Sequence, residues 1–161
     1  MTTNSNDIDI TIQVTSQHSL QPDPDFVKNT LHRAQQQLGD ARQYADHEIT
    51  VRCVDELEMQ TLNHQFRQKN KSTNVLAFPT ETPPGMPIES LGDIVLCIPV
   101  IAHEAKEANI EFDVRCAHML IHAYLHLQGY DHQNNAEQAV MEAHESRLMR
   151  SQGYPNPYSA R

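Results

Sequence analysis

The chain reads as an α+β domain: a mixed sheet of about four strands with about five helices packed on it. Three observations predict this. Strand-like and helix-like stretches mix without strict strand–helix–strand alternation. The stretch Asp93 to Ile98 is apolar on both faces, which suits a central strand. The stretch from near Asp113 to about Gln128 is apolar in most places except its histidines, which suits a buried helix.

Each element has its own signal. Asp7 to Val14 is a strand, with Ile8, Ile10, Ile12 and Val14 alternating. Asp23 and Pro24 open a helix and Gly39 stops it. Its apolar stripe is Leu31, Ala34, Gln35 and Leu38. His47 to Val54 is a second strand, rich in β-branched residues. Asp55-Glu56-Leu57-Glu58 resembles a capping box at the start of a helix that runs to about Arg67, with Met59, Leu62 and Phe66 facing inward. Asn74 to Phe78 is a short apolar strand closed by Pro79, and Thr80 to Leu91 is a turn-rich loop. Asp93 to Ile98 follows, and Pro99 opens a helix reaching about Ala108. The histidine-bearing helix comes next. Asn135 then caps a last helix, with Ala136, Val140 and Ala143 inward and Gly153 at its end. Residues 1–153 form a single domain, and 154–161, with two prolines, are expected to be a poorly ordered tail.

At 161 residues the chain is long enough to bury a real core. Its formal charge of −9 argues against non-specific nucleic-acid binding and gives no reason to expect DNA. One local exception is Arg67, Lys69 and Lys71, a basic window without an intervening acid, which on charge alone reads as a solvated loop. Cys53, Cys97 and Cys116 are far apart and form no CxxC pair, which fits a reducing compartment. The N-terminal residues lack a secretory pattern, and the apolar run Ile94 to Ala102 is too short to span a bilayer. A cytoplasmic protein without a membrane partner is expected.

The chemistry is carried by His122-Ala123-Tyr124-Leu125-His126-Leu127-Gln128-Gly129-Tyr130-Asp131-His132. Residues four apart share a helical face, so His122 and His126 can present their rings to one point. Gly129 can take the left-handed backbone that ends a helix, and the turn can bring His132 to the same point. With ten histidines in the chain, one such pair arises easily by chance. The third histidine beyond a glycine turn is what sets this run apart. Three imidazoles suit a zinc ion with one position open, one ion per chain. His118 lies one turn earlier and is read as a core residue or as one that orients a ligand from behind. Asp131 is assigned the same orienting role. Cys116 sits about 240° around the helix from His122 and points away. His103 and His144 have nothing converging near them.

The spacing also fits the metzincin metalloproteases, which place a glutamate general base after the first histidine. Here that residue is Ala123, which cannot accept a proton. The whole run instead resembles the signature H-G-x-L-H-L-x-G-Y-D-H of the YbeY family of endoribonucleases, bacterial rRNA maturation factors. Two further blocks are similar to that family: Leu62-Asn63-His64-Gln65-Phe66-Arg67 followed by Thr73-Asn74-Val75-Leu76-Ala77-Phe78-Pro79, and Gly92-Asp93-Ile94. The resemblance covers roughly Val51 to Tyr154. Ala123 replaces the family's usual glycine and Ala77 its usual serine.

The resemblance implies a zinc-dependent, single-strand-specific endoribonuclease acting in 3′-end maturation of small-subunit ribosomal RNA and in ribosome quality control. Its partners would be single-stranded RNA, a ribosomal RNA precursor, and the small subunit or its proteins. His122, His126 and His132 carry over as metal ligands, and Arg67 as the arginine important for activity. Chemistry agrees, because a guanidinium matches two oxygens of a phosphodiester. Lys69 and Lys71 would guide the flanking backbone. Tyr130 would stack on a base or be buried under the turn. No general base stands out; water activated by the metal and the RNA 2′-OH both remain as nucleophiles. Two other classes stay open: a metzincin-like protease, and a non-catalytic ribosome-assembly factor with a bound zinc.

Overall fold

The computed structural model describes residues 8–38, 48–67, 73–80, 90–131 and 133–158, without the side chains of Phe66 and Arg67. Along the chain run β1 (Asp9–Val14), α1 (Pro24–Leu38), β2 (Glu48–Val54), α2 (Glu56–Arg67), β3 (Val75–Pro79), β4 (Ser90–Cys97), α3 (Ile98–Glu107), α4 (Phe112–Leu127) and α5 (Asn135–Ser151). The expected architecture is present: four strands in one mixed sheet, with five helices among the described residues. The expected stop at Gly39, the inward Phe66 side chain and loop residues 81–89 lie outside the described residues.

The strand order is β1-β2-β4-β3. β1, β2 and β4 are mutually parallel, and β3 runs antiparallel to β4 at the sheet edge. β4 is central, as its two-sided apolar pattern predicts. Because strand side chains alternate, Ile94 and Leu96 join the larger core while Val95 and Cys97 join a smaller one on the opposite face. The larger core packs the sheet against α1, α4 and α5, through residues such as Leu31, Leu120, Tyr124 and Leu148. The smaller core takes Met59 and Leu62 of α2.

The pairing of β2 with β4 slips between Glu48 and Ile49, passing over Leu91 and bringing Gly92 opposite Ile49. Gly92 has φ +141°, and a Cβ there would stand 2.2 Å from the Phe78 carbonyl oxygen and 3.0 Å from Leu127 Cδ2. Only glycine lets β3, β4 and the end of α4 approach this closely.

Three details differ from the sequence reading. Asp55 does precede α2, but its carboxylate accepts from Ser16 Oγ and the Gln17 amide, and Glu58 pairs with Arg52 and Thr15. The two acids therefore tie β1's exit to α2, where a local capping box was expected. In α5 the buried face is Met141, Glu145, Leu148 and Met149, whereas Ala136, Val140 and Ala143 are exposed. The correct stripe contains a carboxylate, which is why an apolar pattern misses it. The cap of α5 is Asn134, whose side chain accepts from the Glu137 amide.

All three cysteines are free and buried. Burial pushes the Cys53 and Cys97 thiols up to about 11 and that of Cys116 higher still. They pack as small apolar groups. No helix of the described residues is long and apolar enough to cross a membrane.

Candidate metal centre

α4 touches α1, α3, α5, β3 and β4. Ten of its side chains are buried, among them Leu120, Ile121, Tyr124 and Leu125. Each such apolar side chain contributes roughly 1.5–3 kcal/mol on burial, so the helix is fixed by its surroundings. His122 and His126 are only partly buried on this helix. Their ring centroids are 4.7 Å apart with planes at 77°. The four-residue spacing thus brings the two imidazoles side by side, as expected.

Gly129 ends α4 at φ +97°. Its amide donates to the His126 carbonyl at 3.0 Å, and the Tyr130 amide to the Leu125 carbonyl at 3.0 Å. This pair of bonds is the Schellman stop. His132 itself lies outside the described residues, as do Lys69 and Lys71.

A cavity of about 500 Å³ opens in front of the histidines. One wall is β3 and its approach, Thr73 to Ala77 and Pro79. The other is α4 and its exit turn, with His122, Ala123 and His126 followed by Gly129, Tyr130 and Asp131. The size suits a nucleotide-scale ligand. Ala123 and Ala77, the two departures from the family pattern, both line it. The Tyr130 ring also lies 4.8 Å from the His144 ring, so it is braced against α5. Asp131 is on the wall. Arg67 is the last residue of α2, and residues 68–72 join it to the cavity rim at Thr73.

Behind the histidines lies Glu145, 1 % exposed. A buried carboxylate needs partners. Glu145 Oε1 is 3.0 Å from His118 Nε2 and 3.0 Å from His122 Nδ1. The Tyr158 hydroxyl donates to Oε2 at 2.7 Å. Burial works against ionisation, but the hydrogen bonds from His118 and His122 outweigh it and hold the carboxyl down at about 2. The network continues outward. Arg115 Nη1 donates to His118 Nδ1 at 3.1 Å, and its Nε and Nη2 bond Glu104 at 3.2 and 3.0 Å. Asn74 Nδ2, at the foot of β3, donates to Glu104 at 3.0 Å.

A guanidinium can only donate. His118 Nδ1 must therefore accept from Arg115, which leaves the His118 proton on Nε2, facing Glu145. His118 is thus bound to the Glu145 carboxylate. Sequence reasoning missed Glu145, Arg115, Glu104 and Tyr158. The available signal was an acid at i+4 from Met141 on a stripe otherwise completed by Leu148 and Met149.

The donor chemistry fits a divalent metal. Two imidazoles stand together at a cavity wall, and one has its far nitrogen on a carboxylate, the usual brace of a metal-binding histidine. No group of three or more metal-ligating side chains occurs among the described residues, and the third candidate ligand lies outside them.

Fold and site together define an α+β protein with a histidine-lined cavity braced by a buried carboxylate. The family model described as Endoribonuclease YbeY matches residues 9–153, and the chain belongs to that family. It is 48 % identical over 116 residues to the Endoribonuclease YbeY of Alteromonas mediterranea, covering 72 % of this chain and 73 % of that one. It is 48 % identical over 124 residues to that of Pseudomonas syringae pv. tomato (76 % and 75 %), and 50 % identical over 117 residues to that of Halorhodospira halophila (71 % and 76 %). The solution structure of TM1509 from Thermotoga maritima superposes with a TM-score of 0.55 at 24 % identity, over 93 % of this chain and 99 % of that one, a likeness of fold.

Proposed function

We propose that the protein is a zinc-dependent, single-strand-specific endoribonuclease of the cytoplasm that acts in 3′-end maturation of small-subunit ribosomal RNA and in ribosome quality control. The observation that carries the metal part is the pair His122 and His126 at the cavity wall, with Nδ1 of His122 on Glu145. Membership of an endoribonuclease family supports RNA as the substrate. The same membership, together with alanine at position 123, weighs against the protease reading.

In this reading His122, His126 and His132 hold the ion. When bound, zinc supplies a Lewis acid and lowers the pKa of water. The remaining work falls to the chain's own groups. Arg67 grips two oxygens of the scissile phosphate and offsets the charge that gathers there. Six residues span at most about 20 Å, so α2's end stays within reach of the rim at Thr73. Lys69 and Lys71 track the flanking backbone, Tyr130 offers a ring to a base, and Asp131 orients a histidine. The negative net charge keeps RNA attraction local to this edge.

The test is metal analysis paired with cleavage of single-stranded RNA. Wild type should hold about one zinc per chain. His126→Ala should lose the metal and the activity. Arg67→Ala should keep the metal and lose cleavage by about 10²-fold or more. A metal-free wild type with full activity would overturn the proposal. Equal complementation of a deletion strain by wild type and Arg67→Ala would instead favour a non-catalytic assembly factor.

A further inference from the structure

The helix α5 and the segment after it contribute to the centre from behind, through residues the sequence motif does not include. Glu145 is a carboxylate that the His118 and His122 rings share. Its three donors come from two elements: His118 and His122 from α4, and the Tyr158 hydroxyl from beyond α5. Residues 154–158, expected to begin a poorly ordered tail, make specific contacts. The Tyr154 amide bonds the Met149 carbonyl, Ser146 Oγ bonds Asn156, and Asn156 in turn accepts from the Tyr158 amide. The Tyr158 ring meets the His118 ring edge-on at 5.5 Å. The tyrosine is thus docked at a defined place.

We propose that Glu145 is a positioning residue for metal binding, and that the Tyr158 hydroxyl holds its carboxylate in place. This rests on the reading that His122 is a metal ligand. An ionised carboxylate can only accept. The His122 proton must therefore sit on Nδ1, facing Oε1, and coordination falls to Nε2. The carboxylate also makes the imidazole a stronger donor to the ion. His118 is kept out of competition by the same group. Arg115 donates to its Nδ1 and Glu145 accepts from its Nε2, so both ring nitrogens are committed. One carboxylate thereby sorts two histidines on the same helix face into a ligand and a brace. Tyr158 bonds the other oxygen, which fixes the rotation of the carboxylate about its own axis.

The experiment measures zinc affinity by competition with a chromophoric chelator, without RNA. It compares wild type, Glu145→Gln, Tyr158→Phe and His122→Ala. Melting of each metal-free protein is followed in parallel, and the histidine tautomers are read by long-range 1H–15N NMR. Glu145→Gln should weaken zinc binding by about 10–100-fold. Tyr158→Phe keeps the ring and removes the hydroxyl; it should weaken zinc binding in the same direction and by less, while the metal-free protein still melts cooperatively. Metal-free wild type should show His122 protonated at Nδ1 and His118 at Nε2. If Glu145→Gln does not fold, Tyr158→Phe and the wild-type tautomers decide. Unchanged zinc affinity in folded Glu145→Gln and in Tyr158→Phe, or a His122 proton on Nε2, overturns the inference. Failure of wild type to bind zinc, or full binding by His122→Ala, instead overturns the ligand assignment beneath it.

Discussion

A carboxylate sealed in a protein interior is tolerated only where donors surround it, and Glu145 has three. Removing it should therefore cost more than a surface acid would. Glu145→Ala leaves two imidazoles and a hydroxyl without their acceptor, and about 1–3 kcal/mol of stability should be lost in denaturant melts for each donor that stays buried and unpaired. Asp55 offers a contrast at the surface. Its carboxyl is held below the ordinary value of 3.8, first by the Ser16 hydroxyl and then by the Gln17 amide. A carboxylate with a lowered folded-state pKa stabilises above its unfolded value and loses that contribution as pH falls through the lowered one. Wild type should accordingly exceed Asp55→Ala in urea midpoint at neutral pH, and the gap should shrink below pH 3.8. A gap independent of pH would mean that the pair contributes through packing alone. At this scale the legible residues were those with a fixed local spacing: His122, His126 and Gly129. Glu145 sits 23 positions beyond His122, and no local period connects two helices that meet only in the folded chain.

Elements show the same division between local and tertiary signals. Helix and strand positions followed from alternation, proline and glycine, because those act within a few residues. The inward face of α5 did not, since Val140 is half exposed and Glu145 is buried. The start of α2 was legible at Asp55, but its partners lie on the β1 exit. Two element-level outcomes can be measured. Asn134→Ala removes the cap of α5 and should lower stability by about 1 kcal/mol. Gly92→Ala puts a methyl against the Phe78 carbonyl in a left-handed backbone region. It should cost about 1–3 kcal/mol from the backbone alone, and more where β3 must shift. A Gly92→Ala protein melting like wild type would show that β3 and β4 can separate there freely.

For the whole molecule, the α+β class was legible from the mixture of patterns, whereas the strand order β1-β2-β4-β3 was not. Pairing partners are chosen by long-range packing, which one sequence leaves open. Metal linkage acts at this scale too. A ligand at a hundred times its dissociation constant stabilises by about 2.7 kcal/mol. Zinc should therefore raise the melting temperature of wild type by several degrees, and a chelator should reverse the rise. RNA affinity should fall with salt. Lys69→Ala and Lys71→Ala should each flatten the log–log slope by about 0.7 if their ammonium groups meet phosphates. An unchanged slope would remove them from the RNA path.

The clasp of Tyr158 on Glu145 carries a consequence in the order of synthesis. Chains are made from the N-terminus, and domains form as they emerge. His122 and His126 leave the ribosome before α5, and α5 before Tyr158. A nascent chain that already holds both imidazoles still lacks the acid that sets the His122 tautomer and the hydroxyl that steadies that acid. If Glu145 positions a metal ligand as proposed, metal capture would reach its full strength only once residue 158 is free, and the centre would mature after the fold around it.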